Sequence, residues 1–337
     1  MSVNPALSAF IKSIPLFSLV EPEDMMDVLR LLREVQLQDR EILFRQGQPG
    51  DAMWALGPGC KVSLTARADE LGADVPLATV GEGETLGEMS LVDDAGRSAT
   101  ATVATGGKAW RIEAVDFEVL RSTQRPAAYK IMRRMAADMC LRLRQVADRM
   151  AVQSGGAFAD TEPVSFEGAE RVAASAVDTF EPFRRLPATV KLALAQKLTQ
   201  RDVEAGEVLV REGDPGDATF MLVSGQIGVQ RNGERLATLG PGSLVGIISA
   251  IDGGRRTATC VVEEDSRVWR LSDPDFDWLF AAGNRIAYQL VEMVTRQLAA
   301  QLRRANATLV ARELEKAVAG GENALANVDF ELEVDFE

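Results

Sequence analysis

The chain has 337 residues, which at ordinary domain size corresponds to about two domains. With 46% hydrophobic and 26% charged residues it can bury real cores, and wholesale disorder is excluded. Lysine and arginine total 37 against 50 acids, a net charge of −13 that argues against sequence-independent binding to nucleic acid or to an anionic membrane. There is no histidine. Serine–histidine triads, histidine-ligated metals and histidine proton relays are therefore excluded.

The N-terminus, MSVNPALSAFIK, lacks a basic flank and a sustained apolar run, so no signal peptide is expected. Met25, Met26, Val28, Leu29, Leu31 and Leu32 have the spacing of an amphipathic helix. Short apolar runs follow: EILF, a turn at Gln48-Pro49-Gly50-Asp51, AMWAL, a break at Gly57-Pro58-Gly59, then KVSLT. Turn-bounded segments at this density predict an antiparallel sandwich or barrel. An acidic loop falls around Ala66–Thr79, and a long helix is expected over Arg125–Met150. Its stripe of Met132, Met135, Met139, Leu143, Val146 and Met150 can pack on its own domain or pair with a second chain.

The chain then repeats itself. LFRQGQPGDAMW from Leu43 matches LVREGDPGDATF from Leu209, an offset of 166, and GEMSLVDDAGRSATATV from Gly87 matches GIISAIDGGRRTATCVV from Gly246, an offset of 159. The second offset also relates Trp110-Arg111 to Trp269-Arg270 and Ala128-Tyr129 to Ala287-Tyr288. The difference of seven residues places a longer loop in the first copy, at Ala66–Thr79. Two homologous domains are predicted, at 1–150 and 178–318, joined by a linker at 151–177 and followed by a tail at 319–337. Within the linker AVQSGGAFADTEP is expected to be flexible, and Phe166–Val177 to make one or two helical turns. The second terminal helix is expected over Asn284–Lys316.

Chemistry concentrates in one segment, Leu86-Gly87-Glu88-Met89-Ser90-Leu91 followed by Arg97-Ser98-Ala99-Thr100. Glycine permits a close backbone approach, and a short turn after it can aim N–H groups at an anion. An arginine returning nine residues after Glu88 adds a fixed guanidinium. A carboxylate and a guanidinium at one site suit a ligand with both hydroxyl donors and an anionic phosphate.

These residues, with REGDPGD upstream, resemble the phosphate-binding cassette of cyclic-nucleotide-binding domains, as found in regulatory subunits of cyclic-nucleotide-dependent kinases and in the catabolite activator protein. The likeness covers about 280 residues. It implies an α+β fold: two β-rolls of jelly-roll type, each flanked by helices and ending in a long one. It further implies that Glu88 accepts the ribose 2′-hydroxyl and Arg97 pairs with the cyclic phosphate. Gly87, Met89, Ser90 and Ser98 would complete the site, with main-chain amides of Gly87, Glu88, Ser90 and Ser98 toward the phosphate. The sequence has Gly96 where a proline often precedes the arginine.

The second copy keeps Gly246, Arg256 and Thr257, but Ile247 replaces the glutamate. A degenerate second site is expected, because isoleucine leaves the ribose hydroxyl unpaired at about 1–3 kcal/mol. The ligand is expected to be cAMP in preference to cGMP, with no other cofactor and no metal. Trp110 and Trp269 are read as core, Cys60, Cys140 and Cys260 as buried reduced thiols, and Arg133-Arg134, Arg184-Arg185 and Arg303-Arg304 as solvated faces. Apolar and acidic residues alternate over Val328–Glu337, either as a disordered acidic tail or as a peptide that adds to a partner's sheet edge. No kinase, channel or helix-turn-helix motif stands out. The reading is a cytoplasmic, non-enzymatic receptor acting on a protein partner, or alternatively an adaptor whose domains no longer bind nucleotide. An enzyme and a transcription factor are the disfavoured classes.

Overall fold

The computed structural model describes residues 5–67, 74–93, 95–150, 160–184, 186–280 and 285–320. The chain forms two units, one of residues 1–135 with 302–337 and the other of residues 136–301.

In the first unit the apolar spacing near the N-terminus gives helix α1 (Pro5–Ser13), a 3-10 turn at Pro15–Phe17 and helix α2 (Met25–Leu31). The strands are β1 (Arg33–Leu37), β2 (Ile42–Phe44), β3 (Ala52–Leu56), β4 (Lys61–Arg67), β5 (Asp74–Val80), β6 (Thr85–Leu86), β7 (Thr100–Thr105) and β8 (Gly107–Glu113). They pair as two four-stranded antiparallel sheets, β1-β8-β3-β6 and β2-β7-β4-β5. Between the sheets lie Leu37, Trp54, Leu56, Val62, Leu86 and Val103, all buried. Helix α3 (Ala114–Ser122) and the start of α4 (Pro126–Met150) follow.

The second unit repeats this order with β9 (Glu170–Arg171), α5 (Ala188–Ala195), β10 (Thr199–Val203), β11 (Val208–Val210), β12 (Ala218–Arg231), β13 (Glu234–Leu239), β14 (Leu244–Val245), α6 (Ile247–Asp252), β15 (Thr259–Ser272), α7 (Asp273–Leu279) and the start of α8 (Arg285–Gly320). Here β12 and β15 run on where the first copy has two strands each, so one seven-stranded sheet results. The difference follows from the sequence. Gly59 and Gly225 hold the same left-handed place in the two copies (φ 76° and 91°), but Pro58 lacks an N–H for the ladder and breaks β3 from β4, whereas Ser224 pairs with Arg267 and β12 bends through bulges. Leu209, Phe220, Leu222, Ile227, Val262 and Val268 fill this roll.

The extra length of the first copy falls in the β4–β5 hairpin, but much of the stretch expected as a loop is strand, Ala66 and Arg67 ending β4 and Asp74–Thr79 lying in β5. Six residues separate Arg67 from Asp74, whereas Asn232 and Gly233, both at positive φ, turn β12 tightly into β13. Trp110 and Trp269 are 6% and 1% exposed and pack against Phe10 (4.8 Å) and Phe180 (6.0 Å), so both are core residues. All three cysteines are buried and unpaired.

Residues 151–159 of the linker and the tail from 321, including Val328–Glu337, lie outside the described residues. Residues 160–163 form no regular element, and the stretch expected to be helical opens extended before it turns. The Val164 N–H donates to the Val208 carbonyl (2.8 Å), Phe166 packs on Phe220 (5.3 Å), and Glu170–Arg171 pairs with β10. The helical turns come at Ala174–Thr179, as a 3-10 helix. Apolar Val164 and Phe166 cover the open flank of the roll, which outweighs the loop-like composition around them.

Candidate functional site

In the first unit the cassette begins where β6 ends. Gly87 sits at φ 80° and opens a 3-10 turn at Glu88–Leu91 whose four side chains are buried. Only glycine serves at this position. A Cβ there would stand 2.6 Å from Arg97 Nη1 and 3.0 Å from the Ala52 carbonyl oxygen, besides the left-handed backbone cost. Gly50 is constrained likewise, since a Cβ would meet that of Ser90 at 2.0 Å.

Around that turn Arg97, 4% exposed, is held on four sides. Its Nη1 donates to the Gly87 carbonyl (3.1 Å) and the Ser90 hydroxyl (2.9 Å). Its Nη2 donates to Asp51 (3.0 Å) and the Ala52 carbonyl (2.7 Å). The Ser90 hydroxyl in turn donates to the Gly87 carbonyl (2.6 Å). The guanidinium lies 4.2 Å from the Phe44 ring and 5.5 Å from Trp54. Burial pulls Arg97 below the usual guanidinium pKa, and Asp51 and Glu88 oppose that shift. Its Nε–H is buried and bonds to no described residue. Glu88 is 6% exposed and within electrostatic reach of Arg97.

The expected residues are thus brought together. Glu88, Met89, Ser90 and Arg97 are buried, and Gly87 and Ser98 are half-buried beside them. The Ser90 amide, however, is engaged with the Gly87 carbonyl at 3.3 Å.

The second unit rebuilds the same cradle. Arg256, 5% exposed, donates to the Gly246 carbonyl (3.0 Å), Ser249 (2.8 Å), Asp217 (3.0 Å) and the Ala218 carbonyl (2.7 Å). Every distance matches its first-copy counterpart within 0.1 Å. Gly246 (φ 77°) opens α6. What differs is the side chain after it, since Ile247 is 2% exposed where Glu88 stands in the first copy. Thr257 is half-buried.

Sequence reasoning missed the supports of both arginines. Asp51 bridges Arg97 to Arg111 (2.7 Å), and Asp217 bridges Arg256 to Arg270 (2.9 Å). The signal was present in the repeated PGD and Trp-Arg pairs, but only strand pairing shows that they face one another. Reading Arg303 as solvated is corrected. It forms a fork on Asp93 (Nε–Oδ2 3.1 Å, Nη2–Oδ1 2.9 Å), with side chains 17% and 15% exposed. That partner is 210 residues away in the chain. Among the described residues, no group of three or more metal-ligating side chains clusters and no helix is long and apolar enough to cross a membrane.

The family model described as "Cyclic nucleotide-binding domain" matches residues 34–124 and 200–282, more than half of the chain. The chain belongs to the cyclic-nucleotide-binding domain family, in tandem form, and its fold is that of two β-rolls with flanking helices. It is 23% identical over 276 residues to a cAMP-dependent protein kinase regulatory subunit of Dictyostelium discoideum, covering 77% of this chain and 71% of that one. It is 33% identical over 117 residues to a cyclic AMP receptor protein of Thermus thermophilus, covering 33% of this chain and 54% of that one. A co-crystal structure of the regulatory domain of Toxoplasma gondii PKA with cAMP is 17% identical with a TM-score of 0.33, covering 83% of this chain and 94% of that one.

Proposed function

We propose that the protein is a receptor for a cyclic nucleotide, held by the first cassette, and that it signals by moving its terminal helices against a protein partner. One observation carries this reading. Arg97 is fixed in a buried cradle with its Nε–H bonded to no described residue, and Glu88 is buried within electrostatic reach of it, which brings a guanidinium and a carboxylate together in one cassette. The cyclic phosphate takes the charge of Arg97, and the ribose 2′-hydroxyl donates to Glu88. cAMP is the preferred ligand over cGMP, in keeping with the names of the relatives.

In the second cassette Ile247 offers no acceptor for the ribose hydroxyl, so nucleotide affinity there falls by about tenfold to a hundredfold. A regulatory subunit acts through another protein, and by that likeness this chain is a regulator rather than an enzyme. Three buried, unpaired thiols suit a reducing compartment such as the cytoplasm.

The adaptor reading also has an observation in its favour, because all four terminal N–H directions of Arg97 are already taken by protein acceptors. Thermal melting separates the two. At one hundred times Kd a bound ligand adds about 2.7 kcal/mol, so cAMP raises the melting temperature and linear 5′-AMP does not. Equal behaviour of the two nucleotides supports the adaptor.

A further inference from the structure

Two ion pairs at the ends of the long helices obey the repeat. Arg144 of α4 and Arg303 of α8 are related by the offset of 159, as are their partners Asp252 and Asp93. The pairing is crossed. Arg144, from the helix that closes the first repeat, grips the second cassette. Its Nε and Nη2 donate to the two oxygens of Asp252 (2.6 and 2.8 Å), and its Nη1 donates to the Arg255 carbonyl (2.8 Å). Arg303, from the helix that closes the second repeat, makes the same fork on Asp93 and donates to the Gly96 carbonyl.

The carbonyls gripped are those of the peptide units whose nitrogens belong to the cassette arginines, Arg97 and Arg256. Each fork therefore fixes the main chain from which a cassette guanidinium springs. The division of the helices agrees. Pro126–Met135 of α4 belongs to the first unit and the remainder to the second, whereas α8 passes to the first unit at Leu302. There Val310 and Leu314 are buried with Ala66 and Val75 of the β4–β5 hairpin, an apolar contact independent of the ion pair. Arg303 also bears on Arg97 electrostatically, its positive charge lowering the pKa of that guanidinium.

We infer that Arg303 and Arg144 are exchanged positioning residues, each setting the cassette of the repeat to which its own helix does not belong. A ligand that shifts the peptide before Arg97 consequently acts on α8, a helix that starts in the second repeat. Occupancy of the first site is thus reported by the second repeat's terminal helix. The reporting step rests on the receptor reading above, whereas the crossed latch stands without it.

The test is a cycle of near-isosteric variants, Asp93→Asn, Arg303→Gln and the double variant, in the full chain, with Arg144→Gln beside them. Amide exchange is followed in ligand-free protein at 87–97, 246–256 and 302–315, and affinity is measured with cAMP and cGMP. Arg303→Gln is expected to speed exchange at 87–97 and 302–315 by about tenfold and to spare 246–256, and Arg144→Gln to do the reverse at the two cassettes. The double variant is expected to be no worse than either single one, because both remove the same fork. In the parent, saturating nucleotide slows exchange at 302–315, and Arg303→Gln abolishes that response while cutting affinity several-fold. Additive effects of the two substitutions, or loosening by Arg303→Gln of 246–256 instead of 87–97, overturn the latch. A parent that binds neither nucleotide overturns the receptor reading, and the ligand-free exchange pattern then still decides on the latch alone.

Discussion

Replacing Arg97 by alanine, and separately Arg256 by alanine, divides what a cassette arginine does for the fold from what it does for a ligand. The two side chains donate to equivalent acceptors at distances that agree within 0.1 Å, and both are at most 5% exposed. The hydrogen-bond loss is therefore matched, while Arg97 also gives up closer ring contacts (4.2 Å to Phe44, against 5.9 Å from Arg256 to Phe220). Asp51 and Asp217 keep Arg111 and Arg270, and Gly87 and Gly246 keep the serine hydroxyls, so in each case the buried acceptor stripped of its best donor is the carbonyl of Ala52 or Ala218. A weakened buried acceptor with the vacated space costs about 2–4 kcal/mol, Ala52 keeping only a long contact from the Ser90 hydroxyl (3.4 Å), and both variants should melt earlier by a similar margin. Nucleotide affinity should separate them. Removing the charged partner of a bound phosphate costs about 2–5 kcal/mol, or about thirtyfold to several thousandfold in Kd. Arg97→Ala suffers that loss, and Arg256→Ala leaves the tight site nearly intact. Calorimetric titration on both variants, with melting curves alongside, reads the two quantities. Equal loss of affinity in the two variants, or parent-like binding by Arg97→Ala, would refute the assignment of the site to the first cassette.

Two further outcomes are expected. Glu88→Ile, which copies the residue of the second repeat, should weaken cyclic-nucleotide binding by about tenfold to a hundredfold while sparing the fold, because the ribose hydroxyl loses its acceptor; a dissociation constant equal to the parent's counts against the role of Glu88. Burial raises the pKa of the thiols, that of Cys260 being pushed up to about 12 from an ordinary 9.0. They should resist a thiol reagent at pH 8 until the protein unfolds. A native thiol that holds its proton above pH 9 while the unfolded one releases it makes stability fall as pH rises from about 9 to about 12, which urea melts at stepped pH measure. Rapid labelling of the native protein, or stability that rises over that range, contradicts the buried placement.

Much of the architecture was legible because the chain is written twice. A single GE…R pattern is ambiguous, but the recurrence of its glycine, serine and arginine at a fixed offset with matched turns is enough to place Gly87, Glu88, Ser90 and Arg97 together. The hairpin insertion and the cores around Trp110 and Trp269 followed from the same comparison. What escaped depends on contacts remote in sequence. Asp51 reads as a turn residue, and only the pairing of β3 with β8 sets it against Arg111. Arg303 lies in an Arg-Arg pair on a helix whose neighbours look solvated, and nothing local identifies a carboxylate 210 residues away. Val164 and Phe166 were masked by the polar residues around them, although they are apolar side chains that the second roll needs.

The central claim is that one of two nearly identical cradles binds a cyclic nucleotide, and calorimetric titration of nucleotide-stripped protein with cAMP and then cGMP tests it most directly. The account predicts close to one tight equivalent for the parent, with cAMP the better ligand, and none for Arg97→Ala. Two tight equivalents would contradict the role given to Ile247, and no heat with either nucleotide would contradict the receptor itself.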